Sequence, residues 1–151
     1  MSEDVKAPRR YDATRRREQA RQTRAAVLRS ARDRFLGDGY AATTIGQIAG
    51  DAGVSVETVY KAFANKAGLL KAVFDVSVAG DDEPVAMDQR DVIQAIAEEP
   101  DAVRKLTMYA EHLVEAAPRA APVQLLARDA ASADPAAAEV WTQMRAELLV
   151  R

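Results

Sequence analysis

Cysteine is absent from this sequence, which excludes disulfide staples and thiolate metal ligation. Histidine occurs once, at His112, and no Ser, Thr or Lys beside it is marked as a catalytic partner. No Gly-rich phosphate loop is present, and no His/Asp/Glu cluster has metal-ligand spacing. Acidic pairs such as Glu98-Glu99 stand beside a proline and read as a solvated helix end. Enzymatic chemistry and a bound cofactor are therefore not expected. Long apolar runs are missing too. The most apolar stretch, Leu69 to Val78, is interrupted by Lys71 and Asp75, well short of the ~20 residues of a membrane span. The acidic start Met1-Ser2-Glu3-Asp4 has no apolar run behind it and does not read as a signal peptide. A soluble, cytoplasmic, nucleoid-associated protein with no membrane partner is the expectation.

What is present is an uneven charge distribution. Residues 1–40 carry 11 Lys and Arg against 6 acidic residues, whereas residues 81–151 carry 7 against 14. A cationic head on an acidic body suits a protein with one end that meets a polyanion, although a solvated Arg-rich arm would show the same bias.

The periodicity is helical throughout. Residues 1–13, with Pro8 and scattered charge, read as a flexible basic arm. A first helix follows to about Gly37, with Val27, Leu28, Ala31 and Phe35 on one face and Gly37 and Gly39 to end it. Thr44 and Gln47 have the capping-box spacing, opening a helix with Ile45, Ile48 and Ala49 on its apolar side. Gly53 allows a sharp turn, and Ser55 caps a third helix through Phe63. Asn65 caps a fourth, from Lys66 to about Ala79, with Leu69, Leu70, Val73 and Phe74 toward a core. Gly80-Asp81-Asp82-Glu83-Pro84 is the expected domain boundary. Beyond it the spacing predicts helices near 91–98, 101–117, 123–132 and from Pro135 onward, with Pro100, Pro118, Pro122 and Pro135 at the breaks.

Two short helices joined at Gly53-Val54 have a physical use. The first can brace across a DNA backbone while the second lies in the major groove. The small residues Ala49, Ala52 and Gly53 suit the crossing. The exposed side of the second helix would show Val56, Glu57, Thr58, Tyr60 and Lys61. A plain helical hairpin in another bundle has the same periodicity.

The run Thr43-Thr44-Ile45-Gly46-Gln47-Ile48-Ala49-Gly50-Asp51-Ala52-Gly53-Val54-Ser55 closely resembles the DNA-binding signature of the TetR family. Thr58-Val59-Tyr60, Phe63, Asn65-Lys66 and Leu69-Leu70 continue the likeness, and Ala31, Phe35, Gly39 and Tyr40 precede it. The resemblance covers roughly residues 23 to 75. It implies an all-α protein: a three-helix DNA-binding head with a helix-turn-helix, then a helical effector and dimerisation body. It also implies a sequence-specific transcriptional regulator, a repressor released by a small-molecule effector, with double-stranded operator DNA as partner. Thr44, Tyr60 and Lys66 fall where members of that family touch phosphates. Val56, Glu57, Thr58 and Lys61 fall where base edges are approached, and the helix start at Ser55 offers amides to phosphate. Glu57 could instead serve the positive end of its own helix, Tyr60 the core edge, and Lys61 a solvated face. Ala67-Gly68, after Lys66, departs from the acidic residue common in the family at the helix start, and Gly68 should make that start slightly weaker.

The domain expectation is a 1–13 arm, a 14–80 DNA-binding domain with its linking helix, and an 81–151 partial ligand-binding and dimerisation domain. The body is expected to be cut short, since Pro135 to Arg151 reads as a helix without a capping signal or return helix. An exposed stripe of Val140, Trp141, Met144 and Leu148 would then be an interaction surface. The homodimer usual for full-length members is in doubt for such a chain. A helical protein-interaction module without independent DNA binding is the alternative reading. His112, Met87, Met108, Met144 and Trp141 could line an effector pocket or simply pack.

Overall fold

Seven α-helices, one 3-10 turn at Met87–Gln89 and no strand form over the described residues. The computed structural model describes the backbone of residues 9–149 and the side chains of residues 12–147. The helices are α1 Arg9–Asp38, α2 Ile45–Ala52, α3 Val56–Phe63, α4 Lys66–Ala79, α5 Asp91–Glu98, α6 Ala102–Ala130 and α7 Pro135–Leu149.

Helix α1 begins at Arg9, inside the stretch expected to be an unstructured arm; residues 1–8 lie outside the described part. After Pro8 the chain has no helix breaker until Gly37, and Arg, Gln, Glu and Ala all favour propagation. Asp12 in the first turn also stands 3.9 Å from Arg16, one turn on. Gly37 stays within the helix, and Gly39 alone of the two takes the left-handed conformation, at φ +86°. Val27, Leu28, Ala31 and Phe35 are buried, as their spacing predicts.

The caps read from sequence are in place. The Thr44 hydroxyl accepts from the Gln47 amide while the Gln47 side chain reaches back to the Thr44 amide. Ser55 Oγ accepts from Thr58 N at 3.1 Å, and Asn65 Oδ1 from Gly68 N at 2.7 Å. Each cap satisfies a donor that the first helical turn leaves unbonded.

Two expected breaks are absent: Pro118 and Pro122 lie inside one continuous helix, α6. Both prolines are exposed, so the Val114 and Pro118 carbonyls they leave without an amide face water, which can bond them. The opposite side of α6 is clamped by the buried Ala116, Val123, Ala127 and Ala130. Interior proline is tolerated here because its cost falls on the wet side.

Helix α4 joins the head to the body. Leu69, Leu70, Val73 and Phe74 belong to the same buried cluster as Val27 and Phe35 of α1, Val123 and Ala127 of α6, and Met144 of α7. The Gly80–Pro84 segment is thus an external turn alongside a shared core. Helix α7 also departs from expectation. Met144 is fully buried and Val140 and Trp141 pack against the cluster, so these residues present no exposed stripe; the Leu148 side chain is outside the described residues. Lys71 Nζ meets Glu147 at 3.0 Å and ties α4 to α7. Among the described residues no helix is long and apolar enough to cross a membrane.

Candidate nucleic-acid interface

Helix α3 is short and two-sided. Val59 and Phe63, one turn apart, are buried, while Val56, Glu57, Thr58, Tyr60 and Lys61 are exposed. Eight residues form too short a helix to persist alone, so its placement comes from packing and caps. Gly53 at φ +68° turns the chain between α2 and α3, and Val54 N donates to Ala49 O at 3.0 Å to close the end of α2. Thr44 and Ser55 are exposed at the N-termini of α2 and α3. The structure therefore brings Thr44, Ser55, Val56, Glu57, Thr58, Tyr60 and Lys61 to the surface around one helix-turn-helix.

Lys66 is placed differently from these. Its ammonium donates to the carbonyls of Tyr40 and Thr43 at 2.9 and 3.1 Å and lies 4.3 Å from the centre of the Tyr40 ring. It bridges the start of α4 to the turn before α2, with two of its three donors taken. The family resemblance implies a phosphate contact for this lysine. Nothing in the local sequence marks two carbonyls brought from more than twenty residues upstream.

Several supports of the motif are also invisible to periodicity. Arg34 makes a two-pronged bond to Asp51, with Nε at 2.6 Å and Nη2 at 3.1 Å, and so fastens α1 to the end of α2. That pair holds the Asp51 carboxyl below its usual value and the guanidinium above its own. Thr43 is fully buried, and its hydroxyl donates to Gly39 O at 2.8 Å, which fixes the turn leading into α2. The Arg24 guanidinium lies 4.7 Å over the Phe63 ring from the α1 side.

The basic first half of α1 runs beside α3. A groove of about 400 Å³ between the two helices is bordered by Arg16, Gln19 and Thr23 on one side and Thr58 and Lys61 on the other. Arg16 of α1 thus borders the exposed face of α3. Farther along α1, Arg21 and Arg24 pair with Glu83 and Asp82 at 3.0 and 2.8 Å, so their charge is partly balanced by the Gly80–Pro84 turn. Chemically, the surface offers two helix N-termini, hydroxyls, a phenol and cations around one exposed helix. This suits a grooved polyanion better than a small substrate.

A second cavity, about 370 Å³, lies between α1, α4 and residues 81–90, bordered by Arg24, Lys71, Asp75, Asp81, Arg90 and Glu147. Arg90 bonds Asp81 through both Nη atoms at 2.8 Å and holds that carboxyl down at about 2. His112 and Met108 are half-buried on α6, away from this cavity's lining. Among the described residues no group of three or more His, Asp or Glu is placed to hold a metal ion.

Comparison with known proteins agrees with the geometry. Residues 27–73 match the family of bacterial regulatory proteins named for tetR. No curated protein sequence matches the chain. Among solved structures, a candidate TetR-family transcriptional regulator from Mesorhizobium loti superposes with a TM-score of 0.56 at 21% identity, over 82% of this chain. This chain spans 60% of that protein's length.

Proposed function

We propose that this chain, a TetR-family protein by its head, is a sequence-specific DNA-binding transcriptional regulator. The observation that carries the reading is the exposed face of α3, where Val56, Glu57, Thr58, Tyr60 and Lys61 stand beside the cationic half of α1. Lys61 would donate to a guanine edge, Glu57 accept from a cytosine amine, and Val56 pack on a thymine methyl. Thr44, Ser55 and Tyr60 would hold phosphates and set the depth of insertion. Each of these assignments rests on exposure and position within the motif.

The family resemblance supports repression as the output and release by a small effector. The charged cavity beside α4 has the volume of a small-molecule site and borders the helix that joins head to body. Binding as a pair to two half-sites is part of the same proposal, since one short helix reads only a few base pairs.

Selection of sites from a random duplex library by the purified chain tests this. The expected result is an enriched inverted repeat with half-sites about one helical turn apart or more. Folded protein that enriches no sequence would favour the helical interaction module over the regulator.

A further inference from the structure

We propose that residues 12–22 of α1 form a second DNA-contacting element, which grips the phosphate strand beside α3 through Arg15, Arg16 and Arg17. The proposal rests on α3 being the reading helix and adds to it a contact that carries no sequence information.

Residues 12–22 are exposed on every side of the helix, and the first buried side chain of α1 is Val27. At ~1.5 Å per residue the segment extends α1 by about 15 Å beyond its packed part. Its apolar residues are Ala13 and Ala20 alone, so it has no apolar face to enter a lipid surface or fill a protein groove. A partner can therefore gain only through charge and hydrogen bonds. The segment offers Arg15, Arg16, Arg17 and Arg21 against Asp12 and Glu18.

These cations are not equally available. Arg21, and Arg24 beyond it, meet Glu83 and Asp82 at 3.0 and 2.8 Å. Arg16 has a loose approach to Asp12, at 3.9 Å with both side chains mostly exposed. Among the described residues Arg15 and Arg17 form no ion pair. Three consecutive guanidinium groups thus stand open while the later pair is balanced by the Gly80–Pro84 turn.

Position selects the polyanion. Arg16, Gln19 and Thr23 recur at i, i+3 and i+7 on the side of α1 that faces α3, and they share a groove with Thr58 and Lys61. A helix inserted in the major groove has a phosphate strand alongside it, and at this groove such a strand meets α1 as well. Arg15 and Arg17 flank Arg16 by about 100° on either side, within reach of the neighbouring phosphates.

The salt dependence of affinity, measured on the selected site and on a random-sequence duplex, tests this. Arg15→Gln, Arg16→Gln and Arg17→Gln in one chain should flatten the slope of log affinity against log salt by about two to three units on both duplexes, with helicity and base preference unchanged. Lysine at the same three positions should keep the slope, and Arg21→Gln, whose charge Glu83 already balances, should leave it unaltered. An unchanged slope in the triple glutamine chain overturns the contact and leaves the regulator reading intact. Equal flattening by the lysine chain, or a full unit lost to Arg21→Gln, overturns the assignment to these three charges. Wild type that binds the random duplex without base preference but loses slope in the glutamine chain would uphold the α1 contact while removing sequence reading from α3. Binding to neither duplex overturns both.

Discussion

The Tyr40 phenol donates to the Asp134 carboxylate at 2.7 Å, joining the turn before α2 to the α6–α7 corner across 94 positions of sequence. The same carboxylate accepts from Ala136 N at 2.9 Å and so caps α7. Tyr40 is 5% exposed, and its ring packs on Phe35 with centroids 5.5 Å apart. Burial, reinforced by the bond to Asp134, pushes the phenol above its usual value, while the phenol holds the Asp134 carboxyl below its own. This contact couples the helix-turn-helix to the body through a charge-assisted bond as well as the apolar core.

Tyr40→Phe should therefore lower stability by about 1–2 kcal/mol, since it leaves the ring in place and removes one bond to a charged acceptor. Denaturant titration at neutral pH measures it. Because Asp134 is held low, its contribution is full above the unfolded carboxylate value and is lost as pH falls through the folded one. The difference between wild type and Tyr40→Phe should consequently shrink on acidification below about pH 4. A difference that stays constant down to pH 2 would mean the hydroxyl acts independently of the carboxylate.

Lys66→Met should destabilise the head by about 1–3 kcal/mol while leaving the salt dependence of DNA affinity unchanged. The methionine keeps most of the apolar stem but strands the Tyr40 and Thr43 carbonyls that the ammonium bonds. A residue that neutralises a phosphate instead flattens the slope of log affinity against log salt by about one unit. A flatter slope from folded Lys66→Met protein would return this lysine to the phosphate-contacting set.

Much of this head is legible in sequence because its signals are local. Capping side chains bond amides three residues on, Gly53 turns the chain by its own conformation, and Val59 and Phe63 mark the inner side of α3 by spacing alone. The illegible parts are contacts between residues far apart in the chain. Arg34 with Asp51, Lys66 with Tyr40, and Tyr40 with Asp134 each unite elements whose juxtaposition no local pattern encodes. In the body the reading weakens for another reason. Alanine-rich α6 buries Ala116, Ala127 and Ala130, side chains too small to stand out from a surface alanine in sequence. Its prolines then read as breaks because their exposure depends on which side of the helix packs.

Gly68 is read in sequence as a weak helix start, and the fold supplies a reason for it. Ala64 sits at φ +64°, ψ −51°, and Asn65 N donates to Phe63 O at 2.7 Å, a tight γ-type turn between α3 and α4. That turn throws the Phe63 carbonyl against the first turn of α4, where a Cβ on residue 68 would collide with it. Gly68→Ala should thus destabilise by about 1–3 kcal/mol despite alanine's better helix propensity. Thermal unfolding of the variant decides the sign; a stabilised protein would show that the turn relaxes freely.

Lys61→Ala and Tyr60→Phe should separate reading from gripping on α3. Both residues are exposed, Lys61 on the side of α3 away from the buried Val59 and Phe63 and Tyr60 on its flank, so neither change should disturb folding. If Lys61 donates to a base, its loss costs about 1–3 kcal/mol on the preferred site, less on others, and relaxes preference at one position. Loss of the Tyr60 hydroxyl from a phosphate should weaken all sequences alike by about 1 kcal/mol with preference intact. Affinities on the selected site and on its single-base variants measure both effects. Uniform loss from Lys61→Ala would move this lysine to the backbone contacts. Discrimination would then have to come from Val56, Glu57 and Thr58, nearer the start of the helix.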